Sequence, residues 1–204
     1  MSVNDRAPAM AISADGLRCQ SRHQKEWHGC RATKGIIGKG RIYYEAKVED
    51  EGLCRVGFST SEAVLDLGTC AHGYGFGGTG KKSNNRQFDD YGEAFGKGDV
   101  IGCYLDLDNM EIAYTKNGVD LGLAFEINRN FRNKPFFPAV VLKNAEMSFN
   151  FGEEKFKFPP EEGFLGLAQA PDKIVVQNEK GGSGVAVRKL VNNAPQALII
   201  EVKR

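Results

Sequence analysis

Three glycines and two lysines offer the densest chemistry in this sequence. Gly75, Gly77 and Gly80 lead into Lys81 and Lys82. Glycine lets backbone N–H groups approach an anion closely, and a lysine ammonium neutralises it, so such a stretch can cradle phosphate. Two signatures of that kind are matched in outline. The first, G-x-G-x-x-G, makes a dinucleotide site only between a strand and a helix whose N-terminus meets the pyrophosphate. Residues 81–86 have no apolar positions at helical spacing, and Asn84 and Asn85 favour turns. The second, G-x-x-x-x-G-K, needs a Ser or Thr next to hold magnesium; Lys82 stands there and repels the ion. Neither phosphate site is expected. The stretch 73–93 adds aromatics, Arg86, Asp89, Asp90 and Glu93. Its composition argues against a packed helix or buried strand and predicts an exposed binding loop of mixed charge.

Other chemical groupings are thinner. G-x-S-x-G is absent, and Ser183 lies in a polar, glycine-rich stretch without a preceding strand. Asp106 and Asp108 resemble the start of a calcium loop, but Met110 takes the third ligand position, so they read as acids flanking Leu107 at a strand end. Asp89 and Asp90 read as the partners of nearby cations rather than as acid and base. No catalytic residue, cofactor site or metal site is expected. One electrostatic grouping stands out. Arg31, Lys34, Lys39 and Arg41 occur between Trp27 and Tyr44 with no acid among them. If the fold brings them to Lys81, Lys82 and Arg86, a basic patch with Tyr74 and Asn84 as neighbours results; otherwise the charges solvate separate loops. These nine residues are the candidate partner-binding set, and Trp27 reads as a core anchor.

The elements that must position them are strands. Ile42, Tyr44, Ala46 and Val48 alternate with Tyr43, Glu45 and Lys47, the period of a half-buried strand. Residues 55–59 repeat it, and 100–107, 111–115 and 119–125 form a meander whose Asn117-Gly118 turn favours a tight hairpin. Residues 136–142 and 146–151 read as another pair joined at Lys143-Asn144. An early strand is expected at 16–20 and a helical turn at 61–65. With 25 glycines and no sustained helical period, the fold class is all-β, a two-layer antiparallel sandwich over 1–165. Residues 166–194 read as a linker or flexible tail. The continuous apolar run 197–201 suits a strand buried on both faces, as in a parallel sheet, and so 195–204 reads as a fragment of another domain.

Composition narrows the function classes. The net charge of +1 over 204 residues argues against coating nucleic acid by charge alone. No apolar run approaches a membrane span, so no membrane role is expected. Five cysteines, none in a C-x-x-C pair, fit a reducing nuclear or cytoplasmic setting.

Several separated motifs resemble the SPRY family, an all-β interaction module. They are Trp27-His28-Gly29-Cys30-Arg31-Ala32-Thr33, Gly40-Arg41-Ile42-Tyr43-Tyr44-Glu45, Arg55-Val56-Gly57-Phe58-Ser59-Thr60, Gly98-Asp99-Val100-Ile101-Gly102, Phe137-Pro138-Ala139 and Asn150-Phe151-Gly152. Phe58 stands where the family usually shows tryptophan. The segments at 19–33, 52–57 and 65–70 look most like the SPRY insert of a DEAD-box RNA helicase, with the heterogeneous nuclear ribonucleoprotein U branch as the alternative. The resemblance implies a monomeric protein-interaction module, with RNA contact as the second possibility. It also implies a parent helicase using ATP and magnesium outside this chain, which has no Asp-Glu-Ala-Asp or Ser-Ala-Thr motif.

Overall fold

Two stacked sheets account for nearly all regular structure in the computed structural model, which describes residues 1–180 together with the backbone of 185–189 and 197–202. The larger sheet has ten strands. Its order is Val119–Glu126, Glu111–Lys116, Val100–Asp106, Arg41–Asp50, Ala145–Asn150, Arg18–Ser21, Ala11–Ser13, Ala197–Val202 and Val185–Lys189, with Leu165–Gly166 added parallel to Arg41–Asp50. The smaller has eight: Val175–Gln177, Lys34–Ile36, Phe136–Lys143, Leu53–Thr60, Gly73–Gly77, Lys81–Asn84 and Gln87–Asp90, with His28–Arg31 also against Phe136–Lys143. Alternation builds the core between them. Ile42, Tyr44, Ala46 and Val48 of one sheet meet Val56, Phe58, Tyr74 and Phe76 of the other, and all are buried. Edge-to-face rings such as Tyr44–Phe58, with centroids 5.3 Å apart, interlock the layers.

The all-β sandwich and most strands agree with the sequence reading; five details do not. Gly73–Gly77 is a wholly buried strand rather than an exposed loop. Tyr74 and Phe76 supply its core face, and the glycines let Leu67 lie flat on the opposite face, where an added Cβ at Gly75 would stand 3.1 Å from Leu67. Residues 61–65 form turns; the short helices are 3-10 turns at Arg129–Phe131 and Leu167–Gln169. Phe136–Lys143 and Ala145–Asn150 are not a hairpin, because the chain crosses between sheets at Asn144, whose φ is +48°. The sandwich also continues past 165. Leu167 and Ile174 join the core, and Val175–Gln177 pairs with Lys34–Ile36. The 197–202 run is a strand, yet it pairs antiparallel with Ala11–Ser13. The rest of the expected tail, 181–184 and 190–196, lies outside the described residues.

Burial also sorts the thiols. Cys19, Cys30, Cys54 and Cys103 are buried, and Cys70 is half-buried. Burial pushes Cys54 up to about 12 and raises Cys19 and Cys103 well above the ordinary thiol value. A thiol-specific disulfide reagent at pH 8 is therefore expected to titrate one group, Cys70, in the native protein and the other four after unfolding. Two or more fast-reacting thiols in the native state would contradict this burial pattern.

Candidate functional site

The nine candidates do not form one patch. Lys34 and Lys81 lie four strands apart in the smaller sheet, roughly 19 Å at ordinary strand spacing. Arg41 belongs to the other sheet, where its Nε lies 3.1 Å from Asp106 Oδ2 and 3.7 Å from Asp108 Oδ2. Arg31 is buried and bonds both oxygens of Asp5, at 2.6 and 3.0 Å. Tyr74 is core, its hydroxyl accepting from Asn128 N at 3.2 Å. Asn84 donates inward to the Ala71 and Gly73 carbonyls at 3.2 and 2.8 Å. Those three positions are structural, which corrects the expectation that they bind a partner. Lys34 and Lys39 remain exposed, but far from the second lysine pair.

That pair sits on a hairpin. Lys81 faces Asp90 across the ladder and bonds it at 2.6 Å, which holds the Asp90 carboxyl below the usual carboxylate value. Lys82, on the opposite face, donates to the Ala124 carbonyl at 2.7 Å and lies 5.6 Å from the Phe125 ring. Arg86 occupies the turn with φ +62° and is exposed. The phosphate reading fails here on geometry as well. Gly75 and Gly77 lie inside a buried strand and Lys81 opens the next one, so no free N–H cradle is presented.

Residues outside that candidate set gather instead on the face of the smaller sheet that points away from the core. Leu67, Ala139 and Val141 form a second apolar cluster there, with Trp27 packed on it. Trp27 is thus an anchor of the outer face rather than of the main core. The Arg55 guanidinium lies 4.2 Å from the Trp27 ring centroid and 5.4 Å from that of Phe88. It donates to Leu67 O at 2.6 Å and to Asp66 at 3.3 Å. Burial lowers its pKa from the ordinary arginine value, and Asp66 opposes that shift. Phe88 is 46% exposed, Leu53 lies two residues before Arg55 on the same face and is also exposed, and Lys143 Nζ is 6.0 Å from Trp27. A desolvated arginine between two rings, one open to solvent, is a rigid aromatic-cationic platform. The one signal for it in the sequence is Arg55, a charge within an otherwise apolar strand.

Among the described residues no group of three or more His, Cys, Asp or Glu side chains is placed to hold a metal ion. Asp106 instead accepts from Asn109 N and Nδ2 at 3.0 and 2.9 Å, a turn-closing role.

Comparison with known proteins adds the family context. The SPRY domain family model matches residues 41–154. The chain is 61% identical to the ATP-dependent RNA helicase Ddx1 of Drosophila melanogaster and 58% identical to DDX1 of Xenopus laevis, in each case over all of this chain and 28% of the relative. It therefore spans under a third of those helicases. It is also 39% identical to heterogeneous nuclear ribonucleoprotein U-like protein 2 of Homo sapiens, over 71% of this chain and 21% of that protein. A crystal structure of a human SPRY domain superposes with a TM-score of 0.59 at 21% identity, covering 72% of this chain and 98% of that one; this likeness concerns the fold.

Proposed function

This chain belongs to the SPRY family, and from that premise we propose that it captures a protein partner through the Trp27–Arg55–Phe88 platform. The observation that carries the reading is Arg55, held between two rings with its neighbours already satisfied. A preformed site of this kind costs little ordering on association, and tryptophan and arginine dominate interface energetics. The parent protein in this reading is an ATP-dependent RNA helicase of RNA metabolism in the nucleus and cytoplasm, with ATP and magnesium handled by its other domains. The near-neutral charge and the engagement of Lys81 and Lys82 favour protein over RNA as the ligand.

The test is capture from cell extract with immobilised chain, with and without ribonuclease. A discrete protein is expected to survive ribonuclease treatment. Phe88→Ala is expected to lower its retention about tenfold without shifting the melting temperature, since Phe88 lies outside both apolar clusters. Capture abolished by ribonuclease, together with RNA binding at low salt, would move the assignment to an RNA surface.

A further inference from the structure

The smaller sheet ends at Gln87–Asp90, and this edge differs from the others whose side chains are described. At the larger sheet's edge, Val119–Glu126, the Gly122 carbonyl accepts from Tyr91 Oη at 2.5 Å and the Ala124 carbonyl from Lys82 Nζ at 2.7 Å. At the other end of the smaller sheet, Val175–Gln177 has only three residues. Such short or occupied edges are the usual protection against strand addition. Gln87–Asp90 has four residues, all exposed, and no side chain or loop among the described residues bonds its outer side.

The hydrogen-bond phase of that edge follows from its turn. Asn85 and Arg86, with φ of +51° and +62°, close a two-residue hairpin, so Asn84–Gln87 and Lys82–Asp89 are the mutually bonded pairs. Tyr91 N donating to Gly80 O continues the same phase. The N–H and C=O groups of Phe88 and Asp90 therefore point to the open side. Beside them runs a groove of about 360 Å³ between the two sheet edges, lined by Gln87, Asp89, Leu123, Phe125 and Glu126 among others. Lys82 also lines it and stays cationic while bonded to Ala124 O, so with Asp89 and Glu126 the groove carries one net negative charge. Phe88 and Leu123, 46% and 50% exposed, supply apolar contact.

We propose that Gln87–Asp90 accepts an extended segment of a partner protein as a ninth strand of the smaller sheet, with basic side chains over Asp89 and Glu126 and apolar ones beside Phe88. Main-chain bonds supply affinity in this mode, and alternate side chains supply specificity. A second copy of this chain fits poorly. The register that uses both open positions pairs Phe88 of one copy with Asp90 of the other and sets the two Asp89 carboxylates directly opposite, where like charges destabilise. The surface meets the aromatic platform at Phe88 alone and does not rest on it.

The probe is a fluorescent peptide of alternating lysine and valine, titrated into the whole chain at low salt. Saturable binding is expected, weakened about tenfold by Asp89→Lys or Glu126→Lys at unchanged melting temperature, and unaffected by Trp27→Ala. For antiparallel addition, N-methylation of the valine amides abolishes binding and N-methylation of the lysine amides does not; parallel addition reverses the two. Equal effects from both methylated sets, or an affinity indifferent to charge reversal, would overturn the proposal. So would self-association of the chain, seen by sedimentation, that the peptide does not displace.

Discussion

Replacing Asp5 by alanine is expected to cost about 3–5 kcal/mol of folding stability, the usual penalty for stranding a buried charge. The Asp5 and Arg31 side chains are 6% and 3% exposed. Arg31 bonds both Asp5 oxygens, its Nη1 donates to the Ala63 carbonyl at 2.7 Å, and Asn178 Nδ2 adds a bond to Asp5 at 2.9 Å. One ion pair thus ties the N-terminal segment, the His28–Arg31 strand, the 61–63 turn and the end of the sandwich together. Removing Asp5 leaves a guanidinium that neither water nor another acid reaches. Removing both charges relieves the problem, since apolar replacements of a buried pair are often neutral or stabilising. Urea unfolding of Asp5→Ala, Arg31→Met and the double variant measures this. A loss under about 1 kcal/mol in the first would show that the pair behaves as a surface one, and a double variant no better than Asp5→Ala would remove the stranded-charge explanation.

Gly57→Ala is expected to cost about 3 kcal/mol or more. A Cβ there would stand 2.0 Å from the Tyr74 carbonyl oxygen and 2.5 Å from the Tyr114 hydroxyl. The first obstacle is backbone of the neighbouring strand, which moves only by breaking ladder bonds; the second is fixed in the core. Gly57 O also accepts from Tyr44 Oη at 2.7 Å, so a shift there disturbs both layers. Gly96→Ala is the control, because nothing lies within 4 Å of its added Cβ and its stability is expected to stay within about 0.5 kcal/mol. Equal melting temperatures for the two variants would refute the steric account.

Local patterns carried the strands and turns. The alternation of Ile42 to Val48 placed the right residues inward, and Asn117-Gly118 formed its tight turn with φ of +50° and +81°. Both depend on neighbours in the chain, so both are readable from it. Misreadings arose where burial came from elsewhere. The glycine-rich 73–77 segment looked exposed because its cover, Leu67, and its flanking strands arrive from other parts of the chain. Likewise, nothing near Lys143-Asn144 shows that the flanking strands enter different sheets.

The candidate site divides in the same way. Residue types alone excluded a phosphate cradle, since Lys82 opposes a magnesium ion wherever the chain places it, and separated motifs were enough to mark an all-β family. Only the tertiary structure decided which polar groups are free: Arg31 is spent on Asp5, Asn84 on backbone carbonyls, Lys81 on Asp90 and Lys82 on Ala124. It also brought Trp27, Arg55 and Phe88 together from three separate segments. The physical reason is that side-chain chemistry is set by composition, whereas desolvation and pairing depend on which distant groups come within a few ångströms.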